Sequence, residues 1–193
     1  MLLTLDQITK ELEDKFSPLG EDFNDLILFK RTTPLTGLGL LEQTLTLSLP
    51  DDFTSFISLY NLDNFSLFNI SFGCGEDYLE RLFMLNSPNK FAQWWIGDKR
   101  PENIIVIALS DPYTILLNTQ TGNVFAMTSE SSMDSFEHIA VNFCVFFRAV
   151  ATLFLTDISP ERIIELTSSQ TTSFWYQLRP EQDEKYKEKR ASL

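Results

Sequence analysis

A chain of 193 residues with 44% hydrophobic and 22% charged residues has the make-up of a globular protein, which excludes a disordered or fibrous chain. It carries 27 Asp and Glu against 15 Lys and Arg, a formal charge of −12, and a field of that sign argues against nucleic acid or a membrane surface as partner. The same charge would draw in a basic protein, although solubility alone also accounts for it.

The first element is an amphipathic helix. Leu5, Ile8, Leu12 and Phe16 are spaced by three and four, and Thr4 with Gln7 has capping-box spacing. Pro18, Gly20, Pro34, Gly37 and Gly39 then punctuate the chain around a possible strand at residues 26–30, LILFK. Residues 38–47 fit a short helix or a strand. Pro50 opens a clearer helix, since its ring presets the helical φ and its missing N–H would be unpaired in a first turn. Phe53, Phe56, Ile57 and Tyr60 form one stripe of that helix, and Asp51 and Asp52 occupy its first turn, where the dipole favours negative charge.

Phe68, Ile70 and Phe72 alternate with Asn69 and Ser71, the period of a strand with one buried face, closed by Gly73 and Gly75. Residues 77–86 are ambiguous, and 87–95, SPNKFAQWW, read as a helix started by Ser87 and Pro88. Three strands follow at 104–109, 113–118 and 123–127, bounded by the Asp111-Pro112 and Thr121-Gly122-Asn123 turns. Asp134 and Glu137 have cap spacing, and Phe136, Ile139, Ala140, Phe143, Phe147, Val150 and Phe154 predict one long buried helix. Ser159, Pro160 and Glu161 start a short helix through Leu166, and 168–173 read as a polar linker. Residues 174–178, FWYQL, either clasp the domain as a last strand or bind a partner, and the charged run 181–190 reads as a solvated helix or a disordered tail.

The expected fold class is therefore α+β: a single domain with a mixed or largely antiparallel sheet and helices packed around it, spanning residues 1–158, followed by an extension at 159–193. The chain's 17 Phe imply either a thick aromatic core or one exposed aromatic patch. Cys74 and Cys144 are too few for a disulfide framework, and neither has a Cys or His at metal-ligand spacing. Asp6, Glu11, Glu13 and Asp14 stand where a signal peptide would be apolar, and the run after Asn142 is cut by Arg148 and Asp157. A cytoplasmic, reduced protein is expected.

Groups suited to bond-making are scarce. The one His, His138, falls at the start of the predicted long helix, as a capping or packed residue rather than a base beside a nucleophile. The FGCGED segment begins like a phosphate loop but lacks the third Gly and the Lys, and its acidic residues would repel phosphate. Adjacent carboxylates, Asp51 with Asp52 and Glu76 with Asp77, do not converge by adjacency alone. No catalytic, cofactor or metal residues are expected.

The order of motifs carries a resemblance. Leu49 to Asn61 (LPDDFTSFISLYN), Phe72-Gly73, Trp94 or Trp95 before the sheet, Asp111-Pro112, Thr121 to Phe125 and the closing Phe-rich run together resemble the SUKH superfamily. That group includes the Smi/Knr-type cell-wall regulators and many bacterial immunity proteins. The resemblance covers roughly residues 4 to 155 and is that of a divergent member: Leu62 follows Asn61 where the family usually places Gly, and Ala108-Leu109-Ser110 precedes the Asp-Pro turn where glycines are frequent.

Membership would imply a non-enzymatic, cytoplasmic protein-binding domain without cofactor. Its partner would be a cognate toxin with a basic surface, such as a nuclease, with no oligomeric state implied. The alternative role is a regulatory scaffold of the Smi/Knr type. The matched positions look structural, so the candidates for partner contact come from the acidic residues: Asp51, Asp52, Glu76, Asp77, Asp98 and Glu102, against a merely solvated role for each.

Overall fold

Thr4 and Gln7 cap each other as their spacing predicts: the Gln7 N–H donates to Thr4 Oγ1, and the Thr4 N–H donates to Gln7 Oε1 at 2.9 Å. They start α1, Leu5–Phe16, which buries Ile8, Leu12 and Phe16. The computed structural model of the protein describes residues 1–87, 100–128, 136–170 and 173–178. The expected helix over 87–95, the Asp134 cap and the charged run 181–190 lie outside the described residues, apart from Ser87, which ends a helix.

Among the described residues, the remaining α-helices are α2, Leu38–Leu45; α3, Asp51–Leu59; α4, Tyr78–Asn86; α5, Phe143–Leu155; α6, Pro160–Thr167; and α7, Ser173–Gln177. The strands are β1, Ser66–Leu67; β2, Ile70–Ser71; β3, Ile104–Leu109; β4, Tyr113–Asn118; β5, Val124–Thr128; and β6, Glu137–Ala140. They form one antiparallel meander in chain order, so the chain is a single-domain α+β fold. Residues 160–178 are not a separate appendage, because Ile163, Phe174, Trp175 and Leu178 belong to the main core.

Both faces of the central strands are buried, which explains why IIVIAL and YTILLN read as continuous apolar runs rather than alternating ones. Ile105, Ile107, Ile115 and Leu117 face the main core, whereas Ile104, Val106, Leu116 and Met127 join Leu85 of α4 in a second cluster. A register shift between Val106 and Ala108 lets Ile107 and Ala108 both reach the main core. Nine phenylalanines are buried there, so the aromatic content is resolved as a core rather than one exposed patch. Phe53 and Phe56 of α3 meet Phe143 and Phe147 of α5, with ring centroids 4.8 and 4.5 Å apart.

Several expectations are corrected. LILFK contributes only a bridge from Lys30 to Tyr60 after a 3-10 turn over Glu21–Leu26. Pro50 is the residue before the helix rather than its first member, with ψ at 143°. The alternating run at 68–72 bends into a small hairpin: Leu67 pairs with Ile70, and Phe68 takes a φ of 52° in the turn. Its ring is held edge-on to Phe154 at 5.1 Å. Residues 38–45 resolve as helix. The FWYQL segment docks on the domain as part of a helix, Ser173–Gln177, rather than as a strand, with Phe174 and Trp175 fully buried.

The largest correction concerns 136–140. Glu137–Ala140 are the sixth strand, not part of a long helix, and α5 begins only at Phe143. The apolar spacing from Phe136 to Phe143 suits either state, and β5 decides it by offering a backbone ladder to Glu137, His138 and Ala140. Asn142 then starts the helix by accepting the Val145 N–H at 2.8 Å.

Candidate partner-binding surface

The six acidic candidates take different places. Asp51 is exposed in the first turn of α3, while its neighbour Asp52 turns inward and accepts the Cys144 N–H at 3.2 Å. Asp52 thereby caps α5 from a distant helix, so the two carboxylates diverge. Burial, and then the Asp52 charge, push the Cys144 thiol up to about 11. Asp77 caps α4, accepting the Leu79 N–H at 2.9 Å, and remains exposed. Glu76 pairs with the buried Arg81 at 2.8 Å, and the guanidinium holds its carboxyl below the usual carboxylate range. Glu102 is exposed in the turn before β3. Asp98 lies outside the described residues.

Structure therefore gives Asp52, Glu76 and Asp77 local architectural work and leaves Asp51 and Glu102 free to face solvent. The glycines of FGCG serve the same architecture. Gly75 donates its N–H to the Asp63 carbonyl at 2.8 Å, and a Cβ at Gly73 would lie 2.0 Å from that oxygen. Asp63 also receives Arg31 at 3.2 Å and the Tyr78 N–H at 3.0 Å, which binds this turn to the start of α4.

What sequence reading missed is where the positive charge goes. Four of the five described arginines turn inward. Arg31 donates to the Ile57 carbonyl at 2.8 Å as well as to Asp63. Arg81 pairs with Glu76, and Arg100 donates to the carbonyls of Ile104 and Leu45 at 3.1 and 2.7 Å. Arg148 ties down the first residues through the carbonyls of Leu3 and Leu2, at 2.7 and 3.1 Å. Arg162 pairs with Glu165 on the surface. Meanwhile Glu11, Glu13, Glu21, Asp22, Glu80 and Glu102 stand exposed. Among the described residues the exposed charges are thus mainly carboxylates.

Sequence reading also missed the outer face of α4. Tyr78, Leu79, Leu82 and Leu85 form its buried stripe, yet Phe83 and Met84 are 44% and 45% exposed on the opposite side. The signal was present: Phe83 and Met84 extend apolar residues around the helix beyond the arc that one buried face takes up.

His138 lies in β6, not at a helix start, and is 8% exposed. Its ring stands edge-on to Phe125 at 5.5 Å, and neither ring nitrogen makes a well-formed hydrogen bond. Desolvation pushes its pKa below the ordinary imidazole value, with the backbone of Ala140 and Ser168 acting in the opposite sense. Among the described residues, no three His, Cys, Asp or Glu side chains are placed to hold a metal ion, and no helix is long and apolar enough to cross a membrane.

In comparisons with known proteins, the chain matches no family model and no curated protein.

Proposed function

We propose that the chain is a non-enzymatic protein-binding domain that neutralises a cognate toxin with a basic surface, and that it works in the cytoplasm. The observation that carries this reading is the inward turn of Arg31, Arg81, Arg100 and Arg148, which leaves carboxylates as most of the exposed charges among the described residues. A surface of that kind raises the association rate with a cationic partner and disfavours neutral or acidic ones. A nuclease must hold phosphates and so presents such a basic face. The ordered motifs that resemble the SUKH immunity group support the same role.

The test is co-expression with the toxin-like product encoded beside this chain's own gene. Restored growth and a complex in size-exclusion chromatography are expected, with an association rate that falls steeply between 50 mM and 500 mM salt. No complex and no rescue would sink the reading.

A further inference from the structure

We infer that the outer face of α4 is the surface that receives the basic partner, with Phe83 and Met84 as its apolar centre. This rests on the toxin-binding reading and adds a location to it. Nine residues, Tyr78–Asn86, make up the helix. Asp77, Glu80, Phe83 and Met84 recur at three-or-four spacing on its outer side, and all are exposed. A Phe and a Met side by side in solvent, rimmed by two carboxylates, match the make-up of interface centres, where aromatic residues and Met are enriched inside a polar rim.

Three further observations favour this face. The first is charge. The neighbouring helix α2 packs beside α4, with Leu79 Cδ1 3.8 Å from where a Cβ on Gly37 would lie, and it carries no cation. The only cation on α4, Arg81, is buried against Glu76. The alternative pair, Phe29 and Leu59, is 48% and 50% exposed but lies beside the exposed Lys30, a setting that a basic partner would avoid.

The second is extent: Leu40 of α2 is 68% exposed, so the adjacent helix also presents an apolar side chain. The third is rigidity. The inner side of α4 is fixed to β3 by Tyr78 Oη donating to the Ile107 carbonyl at 2.8 Å and by Asn86 bonding Val106. A contact helix held in place at both ends loses little freedom when a partner docks.

The experiment uses the full chain and the purified toxin-like product of the adjacent gene, with affinity measured by biolayer interferometry. Phe83→Ala combined with Met84→Ala is expected to weaken binding at least about thirtyfold, with an unchanged circular dichroism spectrum because both side chains stand in solvent. Glu80→Lys should slow association at low salt, and Glu80→Gln should slow it less. Glu11→Lys with Glu13→Lys, on the solvent face of α1, should leave affinity within about threefold.

If the wild-type chain binds and the α4 variants bind equally well, the face is wrong while the toxin reading stands. If the wild-type chain does not bind, both fall. A wild-type dimer dissolved by Phe83→Glu would replace the partner with a second copy of the chain and overturn the inference.

Discussion

The side-chain amide of Asn86 pairs with the backbone of Val106 in both directions: the Val106 N–H donates to Asn86 Oδ1 at 2.7 Å, and Asn86 Nδ2 donates to the Val106 carbonyl at 2.9 Å. A helix side chain thus supplies what a neighbouring strand would. β2 reaches β3 only at Leu109, so the earlier part of that edge is closed by Arg100 on Ile104, Asn86 on Val106 and Tyr78 on Ile107. Asn86→Ala leaves a buried N–H and a buried carbonyl of Val106 without partners. A loss of about 3 kcal/mol is expected, read as a lower urea midpoint at unchanged m-value. A loss below about 1 kcal/mol would show that water replaces the amide.

Alkaline pH should loosen the fold through three acids whose neutral forms it protects. Burial raises Tyr78 well above the tyrosine range, Tyr113 from 10.0 to about 12, and Cys144 from 9.0 to about 11. An acid raised in the folded state keeps its proton when the unfolded chain has lost it, so stability falls as pH rises. The window opens near pH 9 and widens above 10 as the tyrosines join. Urea midpoints at pH 8, 9.5 and 10.5 are expected to fall in order, and Cys144→Ala should remove the earliest part of that decline.

The two thiols should also differ in reactivity. Cys74 is exposed beside Ser71, whereas Cys144 is half-buried at the start of α5 with its thiol raised to about 11. Only the thiolate attacks a disulfide reagent. At pH 8 the native chain is expected to release one equivalent of chromophore from a colorimetric disulfide reagent quickly and the second only after denaturant is added. Two fast equivalents would mean that the α3–α5 junction opens freely.

The parts of this fold that were legible in the sequence are those where local signals agree. Thr4 and Gln7 name the start of α1, and the Asp111-Pro112 and Thr121 to Asn123 turns mark off β3, β4 and β5 to within a residue. The illegible parts are those that a distant element decides. Nothing near Glu137 says that β5 will offer it a ladder, and nothing near Asp52 says that its carboxylate will cap a helix 92 residues away. The candidate surface divides in the same way. Acidity is readable from composition, but its concentration on the outside depends on which carbonyls each arginine reaches. The exposure of Phe83 depends on which side of α4 faces β3.

Ser169, Gln170, Phe174 and Trp175 hold the sheet's outer edge. Gln170 donates its N–H to the His138 carbonyl at 3.1 Å, Ser169 Oγ donates to the Ile139 carbonyl at 2.7 Å, and Trp175 Nε1 donates to Ser169 Oγ at 2.9 Å. The Phe174 N–H meets Glu137 Oε2 at 2.9 Å. Trp175→Ala removes a fully buried ring packed on Phe146 and Phe174, and a loss of about 4 kcal/mol is expected. Hydrogen exchange should then speed first at 168–178 and along β6. Equal acceleration throughout the sheet would mean that the clasp is part of one cooperative unit.

His138 sets an expected acid limit to stability. Its imidazole is enclosed beside Phe125, and desolvation outweighs the backbone of Ala140 and Ser168 and lowers its pKa from 6.5. For a base whose folded pKa is depressed, the unfolded chain binds the proton first as pH falls. Its contribution is therefore complete above pH 6.5 and is lost progressively below it, down to the lowered folded value. It is the only His in the chain, and ordinary carboxylates titrate mainly below pH 5, so a slope between pH 5 and 6.5 belongs chiefly to this ring. Thermal midpoints across that interval should decline for the wild-type chain. His138→Phe, which keeps the ring and its contact with Phe125 but cannot be protonated, should flatten the decline. An unchanged slope in that variant would mean that the imidazole becomes solvated on protonation at no cost to the fold.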